Sequence, residues 1–147
     1  MSEELKFSGA EAHLVLHATE DEHKVLGAIQ DVLSIPTSRF TGESCEGHFK
    51  NRILLLRASI PSEEAAELAA RIASLLSSTD RMELQRDMHN YSDEKGNLYL
   101  RLDKQRLCRG SVALATNDSL RIRFRPVKKY RPTWDLEHYR RLLSSTE

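Results

Sequence analysis

Cysteine is nearly missing from this chain: Cys45 and Cys108 are the whole supply. Two thiols do not make a disulfide framework, and both are expected to be free in a reducing compartment. Long apolar runs are missing too. The longest aliphatic stretch is Ile53-Leu54-Leu55-Leu56, whereas a membrane-spanning helix needs about 20 residues, so no membrane association is expected. The opening MSEELKFSG is acidic and carries no apolar segment of a secretory leader, which makes a cytoplasmic location the expectation. There is no repeat and no low-complexity tract. Zinc-knuckle spacing, a GxxG loop in a helix-turn-helix setting, an RNP-type aromatic pattern and the GxGxxG and GxxxxGK phosphate loops are all lacking. A nucleotide site therefore has no support, and no cofactor is expected.

Net charge is also absent, but only as a sum. The formal charge of the 147 residues is zero. From Lys95 to Arg131, however, the cations Lys95, Arg101, Lys104, Arg106, Arg109, Arg121, Arg123, Arg125, Lys128, Lys129 and Arg131 face only the acids Asp103 and Asp118. The preceding stretch is correspondingly acidic. Local asymmetry, rather than overall isoelectric point, governs the choice of partner.

The length favours one domain over residues 1–147. Residues 11–18 (EAHLVLHA) read as a strand, with Leu14 and Leu16 on one face and His13, Val15 and His17 on the other. Thr19 and Glu22 have the spacing of a capping box. The helix after them carries Val25, Leu26, Ile29, Val32 and Leu33 at the spacing of one buried face, and Ile35-Pro36 stops it. Residues 37–51 are expected to be loop. Arg52–Ile60 is apolar on both alternating sets, the pattern of a central strand covered on both sides. Ser62 is the expected N-cap of a second helix burying Ala65, Leu68, Ala69, Ile72, Leu75 and Leu76. Thr79-Asp80 caps a third helix reaching about Met88, with Glu83 completing the cap. Strands are expected at Leu98–Lys104, Ser111–Ala115 and Ser119–Arg125, with a turn at Asn117-Asp118. A C-terminal helical extension over 131–147 buries Leu136, Tyr139, Leu142 and Leu143. Short connections between the late strands point to α+β, a mostly antiparallel sheet with helices packed on one face.

The late strands carry the candidate chemistry. In SLRIRFR, Leu120, Ile122 and Phe124 point one way and Arg121, Arg123 and Arg125 the other. Tyr99 and Arg101 take the same face of the preceding strand. Neighbouring strands lie about 4.8 Å apart and alternate residues about 6.6 Å, a pitch comparable to successive phosphates. The 104–110 turn adds Lys104, Arg106 and Arg109, and Lys128 and Lys129 add charge at the other end. Tyr99 and Tyr130 can stack on bases. A solvated sheet face, or pairing of these arginines with the acidic first half, accounts for the same pattern without RNA. Cys45 and His48 are close enough to share a zinc with His89 or Cys108, but the spacing fits no finger or ribbon, and a structural loop at Gly47-His48 is expected instead. His13, His17 and His23 are expected as polar groups with backbone partners. No active site is expected.

Three stretches together resemble a known family. HATEDEHKVLGAI, GHFKNRILLLRA and GNLYLRLDKQRLCRGS are similar, in that order, to an archaeal family of predicted exosome-associated RNA-binding proteins (DUF54-like), over roughly residues 10 to 128. The Leu-Tyr-Leu-Arg-Leu-Asp-Lys-Gln strand-turn is the most specific of them. Lys50-Asn51-Arg52 departs from the Gly-Asn-Pro-like turn of the family pattern. The resemblance implies a ribosomal-protein L5-like α+β domain, RNA as partner, exosome subunits as associates, and a homodimer as an assembly state. Transferred residue by residue, it singles out Gly47, His48, Arg101, Asp103, Lys104 and Gln105.

The resulting expectation is a non-catalytic RNA-binding protein. Arg101, Lys104, Arg106, Arg109, Arg121, Arg123 and Arg125 would contact phosphates, Gln105 a base edge, and Tyr99 a base face. Six or more such contacts imply a loss of about a thousandfold in affinity between 50 and 200 mM salt. The rival expectation is an assembly module whose basic face docks an acidic protein or a second copy. A small hydrolase using Cys45 and His48 is the third.

Overall fold

A computed structural model describes residues 7–46 and 51–126. Five antiparallel strands form one sheet: β1 (Phe7–His17), β2 (Thr41–Glu46), β3 (Arg52–Pro61), β4 (Leu98–Asp103) and β5 (Ser119–Pro126). Their order across the sheet is β2-β3-β1-β5-β4. The helices are α1 (Glu22–Leu33), α2 (Ser62–Leu75), α3 (Ser78–Arg86) and the short α4 (Lys104–Cys108). The expected α+β class is therefore what the chain adopts.

Alternation explains the sheet. Ala10, Ala12, Leu14 and Leu16 of β1, Leu56, Ala58 and Ile60 of β3, Leu98, Leu100 and Leu102 of β4, and Leu120, Ile122 and Phe124 of β5 all turn to one face and are buried. The helices cover that face. Alanines 65, 69 and 73 of α2 are buried, and with such small side chains the helix packs closely on β1 and β3. Helix α1 lies between α2 and α4 and buries Val25, Leu26, Ile29 and Leu33. Truncating one of these buried leucines to alanine is worth about 2–5 kcal/mol.

The structure corrects several expectations. β3 is covered on one face only, because Arg57 and Ser59 are exposed and Leu55 is 45% exposed. Residues 41–46, expected as loop, form the edge strand β2 paired to β3. Gly42 is needed there: a Cβ at that position would lie 1.7 Å from the Leu55 carbonyl oxygen. The caps shift by one or two residues. Asp21 rather than Thr19 caps α1 by accepting from the Lys24 N–H, and Ser77 caps α3. Ser62 is the first helical residue of α2 and caps nothing; its hydroxyl donates to Glu63. Leu75 is 44% exposed rather than buried. Glu83 accepts from the Tyr91 hydroxyl at 2.7 Å instead of completing a cap.

Segment 111–115 is not a ladder strand. It makes one bridge, Leu114 to Leu102, and is tied down by Asp80, whose carboxylate accepts the Leu114 N–H at 3.0 Å. Residues 104–108, expected as a turn, are α4, because the Asp103 carboxylate accepts the Arg106 N–H and starts a helical turn. Gly47, His48, Lys128, Lys129, Tyr130 and the C-terminal helical extension lie outside the described residues.

Candidate nucleic-acid interface

The second face of the sheet is where the cations meet. Register fixes the arrangement. Arg57 of β3 stands opposite His13 of β1, His13 opposite Arg121 of β5, and Arg121 opposite Arg101 of β4. Opposed residues project to the same side, so four basic side chains form a row crossing four strands. The adjoining row is Ser59, Glu11, Arg123 and Tyr99. Arg57, Arg101 and Arg121 are all exposed, so the described helices leave this face open.

Electrostatically the two rows differ. Glu11 accepts from Arg123 at 2.8 Å and has Arg125 at 3.8 Å and His13 at 3.5 Å. Burial alone would raise the Glu11 pKa, but the Arg123 hydrogen bond and the surrounding positive charge hold it below the ordinary value of 4.5. One carboxylate thus serves three basic groups. Arg101 and Arg121, which face each other directly, have no carboxylate partner among the described residues. Like charges set opposite on a sheet repel, which favours an anion seated between them.

The aromatic edge of the face is fixed by hydrogen bonds. The Tyr99 hydroxyl donates to Asp93 at 2.8 Å, and Asp93 also accepts from the backbone of Lys95 and Asn97 and from the Asn97 amide. Burial opposes ionisation of Asp93, yet these donors keep its pKa below 3.8. Burial and the Asp93 carboxylate together raise the Tyr99 phenol, and Arg123 offsets part of that. Tyr91 is held in the same way by Glu83; desolvation and that contact push its pKa up to about 12. Both phenols are therefore neutral donors at physiological pH. A groove of about 710 Å³ opens over these rows, lined among others by His13, Tyr91, Tyr99, Arg101, Arg121 and Arg123.

The family model described as RNA binding matches residues 10–126. The chain belongs to that RNA-binding family. An RNA-binding protein of Pyrococcus abyssi is 32% identical over 124 residues, spanning 78% of this chain and 80% of its own length. An uncharacterized protein of Methanocaldococcus jannaschii is 30% identical over 112 residues, 72% of this chain and 74% of that protein. The solved structure of a DUF54 protein from Methanothermobacter thermautotrophicus is similar with a TM-score of 0.76 at 26% identity, covering 95% of this chain and 99% of that one.

In this member of the RNA-binding family, the residues singled out from sequence do not share one surface. Tyr99, Arg101, Arg121, Arg123 and Arg125 do. Gln105, Arg106 and Arg109 are exposed on and just after α4, which packs against α1 in the helical layer. Lys104 is a correction: its side chain is 0% exposed. The ammonium donates to the Val15 carbonyl at 2.8 Å and to Glu20 at 2.9 Å, and lies 2.7 Å from Asp118. It is a strut joining β1, the turn after β1 and the turn before β5, and it does not reach solvent. Burial would raise Glu20, but the Lys104 and His17 N–H hydrogen bonds bring its pKa below 4.5.

His17, Glu20 and Asp118 lie close enough to share a cation, and the Lys104 ammonium already occupies that role. Cys45 is an exposed free thiol on β2, and Cys108 is a half-buried free thiol on α4. The residues missed from sequence are Arg57 and His13 as members of the cation row. The alternation Leu56-Arg57-Ala58-Ser59-Ile60 carried that signal.

Proposed function

We propose that this protein binds RNA through the open face of its sheet, without catalysis. The observation that supports this reading is the unbroken row Arg57, His13, Arg121 and Arg101, whose last two members have no carboxylate partner among the described residues. Arg123 and Arg125 add charge that Glu11 only partly offsets. Family membership and the name of the Pyrococcus abyssi relative support RNA as the partner. Gly47, His48, Lys128 and Lys129 stay in this proposal as RNA contacts argued from sequence alone, and Gln105, Arg106 and Arg109 form a separate flank on and just after α4.

Burial of Lys104, together with the placement of Arg106 and Arg109 on and just after α4, leaves Arg101, Arg121, Arg123 and Arg125 of the expected phosphate contacts on the sheet face. About four contacts on a single strand give a log–log salt slope near −3, or about a 50-fold loss between 50 and 200 mM salt. A filter-binding titration reads this directly, and affinity independent of salt refutes the mechanism. Association with the exosome is the finer reading. It predicts that exosome subunits co-purify with the protein and that the association survives nuclease treatment only where protein contacts carry it. A self-pairing through this face would bring the arginine row against its own copy, so a homodimer would use another surface. If the face docks an acidic protein instead, Arg121→Glu abolishes that protein's co-purification and leaves RNA retention intact.

A further inference from the structure

Two hollows open on the same sheet face, and they share only Arg101 and Arg121. The larger, of about 710 Å³, includes Asn90, Tyr91, Tyr99, Ala115 and Thr116 in its lining. The smaller, of about 250 Å³, is lined by Val15, Asn117, Asp118 and Ser119 together with the arginine pair. A pair of guanidinium groups facing each other across adjacent strands therefore stands at the boundary between an aromatic hollow and a polar one.

We infer that the Arg101–Arg121 pair seats one phosphodiester of single-stranded RNA, with the nucleoside on one side of that phosphate entering the groove lined by Tyr99 and Tyr91. The inference rests on the RNA-binding reading and names its substrate class. Three features support it. A phosphodiester is the anion that carries a sugar and base on both sides, which matches a cationic pair flanked by two hollows. The larger hollow falls in the range of about 300–1,000 Å³ that encloses small organic ligands, enough for a base with its ribose. The smaller hollow is lined by the polar residues Asn117, Asp118 and Ser119, and Asp118 is paired to the Lys104 ammonium at 2.7 Å, so its charge is offset where the neighbouring ribose would lie.

The tyrosines are prepared for this role. Their hydroxyls are engaged by Asp93 and Glu83, so little side-chain freedom is lost when a base meets them. A base paired in a duplex cannot enter the groove without leaving its stack, which costs a few kcal/mol. The site accordingly discriminates by strandedness rather than by sequence.

Fluorescence anisotropy at fixed salt tests this, using a short labelled oligoribonucleotide either alone or annealed to its complement. The single strand is expected to bind at least about tenfold more tightly than the duplex, as the unstacking cost requires. Tyr99→Ala should weaken the single strand by about five- to 150-fold, the fold-change of one lost base–aromatic stack. The duplex should lose less affinity than the single strand, because its paired bases do not reach the ring, and the salt slope should stay as in the wild type. Tyr99→Phe, which keeps the ring but drops the hydroxyl that holds it to Asp93, should lose much less single-strand affinity than Tyr99→Ala and separates loss of the stack from loss of the hydroxyl contact. Arg101→Gln with Arg121→Gln should flatten the single-strand salt slope by about 0.7 per phosphate lost. Equal affinity for the two RNA forms, or single-strand binding unaffected by Tyr99→Ala, overturns the inference while general RNA binding stands. Failure of the wild type to bind either form overturns both.

Discussion

Lys104→Met is the sharpest perturbation of this fold, because the side chain it removes is buried, charged and shared by three oxygens. Methionine keeps the length and apolar bulk of the lysine stem but leaves the Val15 carbonyl, Glu20 and Asp118 without their common donor. Removing one member of a buried ion pair costs about 3–5 kcal/mol. Glu20 is 15% exposed and Asp118 47% exposed, so water recovers part of the Asp118 loss, and the low end, about 3 kcal/mol, is expected. For a domain of this size that lowers the thermal midpoint by about 6–12 °C. The pH dependence carries the signature. The folded-state pKa of Glu20 is depressed, so its contribution is present above the unfolded value near 4.5 and fades as pH falls through the folded value. The gap between wild type and Lys104→Met should therefore be widest near neutrality and narrow as pH falls below 4.5 and on through the depressed Glu20 value. Adding Glu20→Gln to Lys104→Met should recover part of the loss, since the stranded charge is then gone. Thermal melts of the three variants at neutral and acid pH give the result. A Lys104→Met midpoint within experimental error of wild type would refute the strut.

Other expectations follow from single contacts. Gly42→Ala should push β2 off Leu55 and destabilise by about 1–3 kcal/mol; hydrogen exchange should show lost protection in 41–46 while the β1–β5 ladder stays protected. Ser34 ends α1 with φ at 60°, so Ser34→Gly should relieve the left-handed strain and stabilise by up to about 1 kcal/mol, read in a denaturant melt. Asp80→Ala removes the acceptor of the Leu114 amide and should cost about 1.5 kcal/mol, with Leu114 amide exchange accelerated. Glu11 and Asp93 both have depressed pKa values in the folded chain. Their contribution is complete above about pH 5 and lost on acidification through their folded values, so a thermal midpoint that does not fall between pH 5 and 3 would contradict those contacts.

Period-two alternation made β1, β4 and β5 legible, and with them the placement of Tyr99, Arg101, Arg121, Arg123 and Arg125 on one face. It failed at β3, where Ile53-Leu54-Leu55-Leu56 hides the pattern and only Arg57 and Ser59 restore it. β2 was invisible because TGESCE has no apolar face to bury; pairing with β3, not hydrophobicity, makes it a strand. The burial of Lys104 is hidden from the sequence for a different reason. A lysine in a basic run looks like surface charge, and only the return of Glu20 and Asp118 from distant turns shows that it is enclosed. Local spacing cannot report such a contact: Lys104 and Glu20 are 84 positions apart.

The strand order has a bearing on how the molecule is made. β1, translated early, sits at the middle of the sheet, and one of its two neighbours is β5; Glu11 waits for Arg123, 112 positions downstream. While the chain leaves the ribosome, β1 and β3 can pair, but the other edge of β1 stays open until residues 119–126 emerge. β4 has no ladder partner before that moment either. A nascent chain halted short of β5 should therefore be protease-sensitive and prone to strand-to-strand association with its neighbours. Completion of the arginine row and completion of folding are then the same late event.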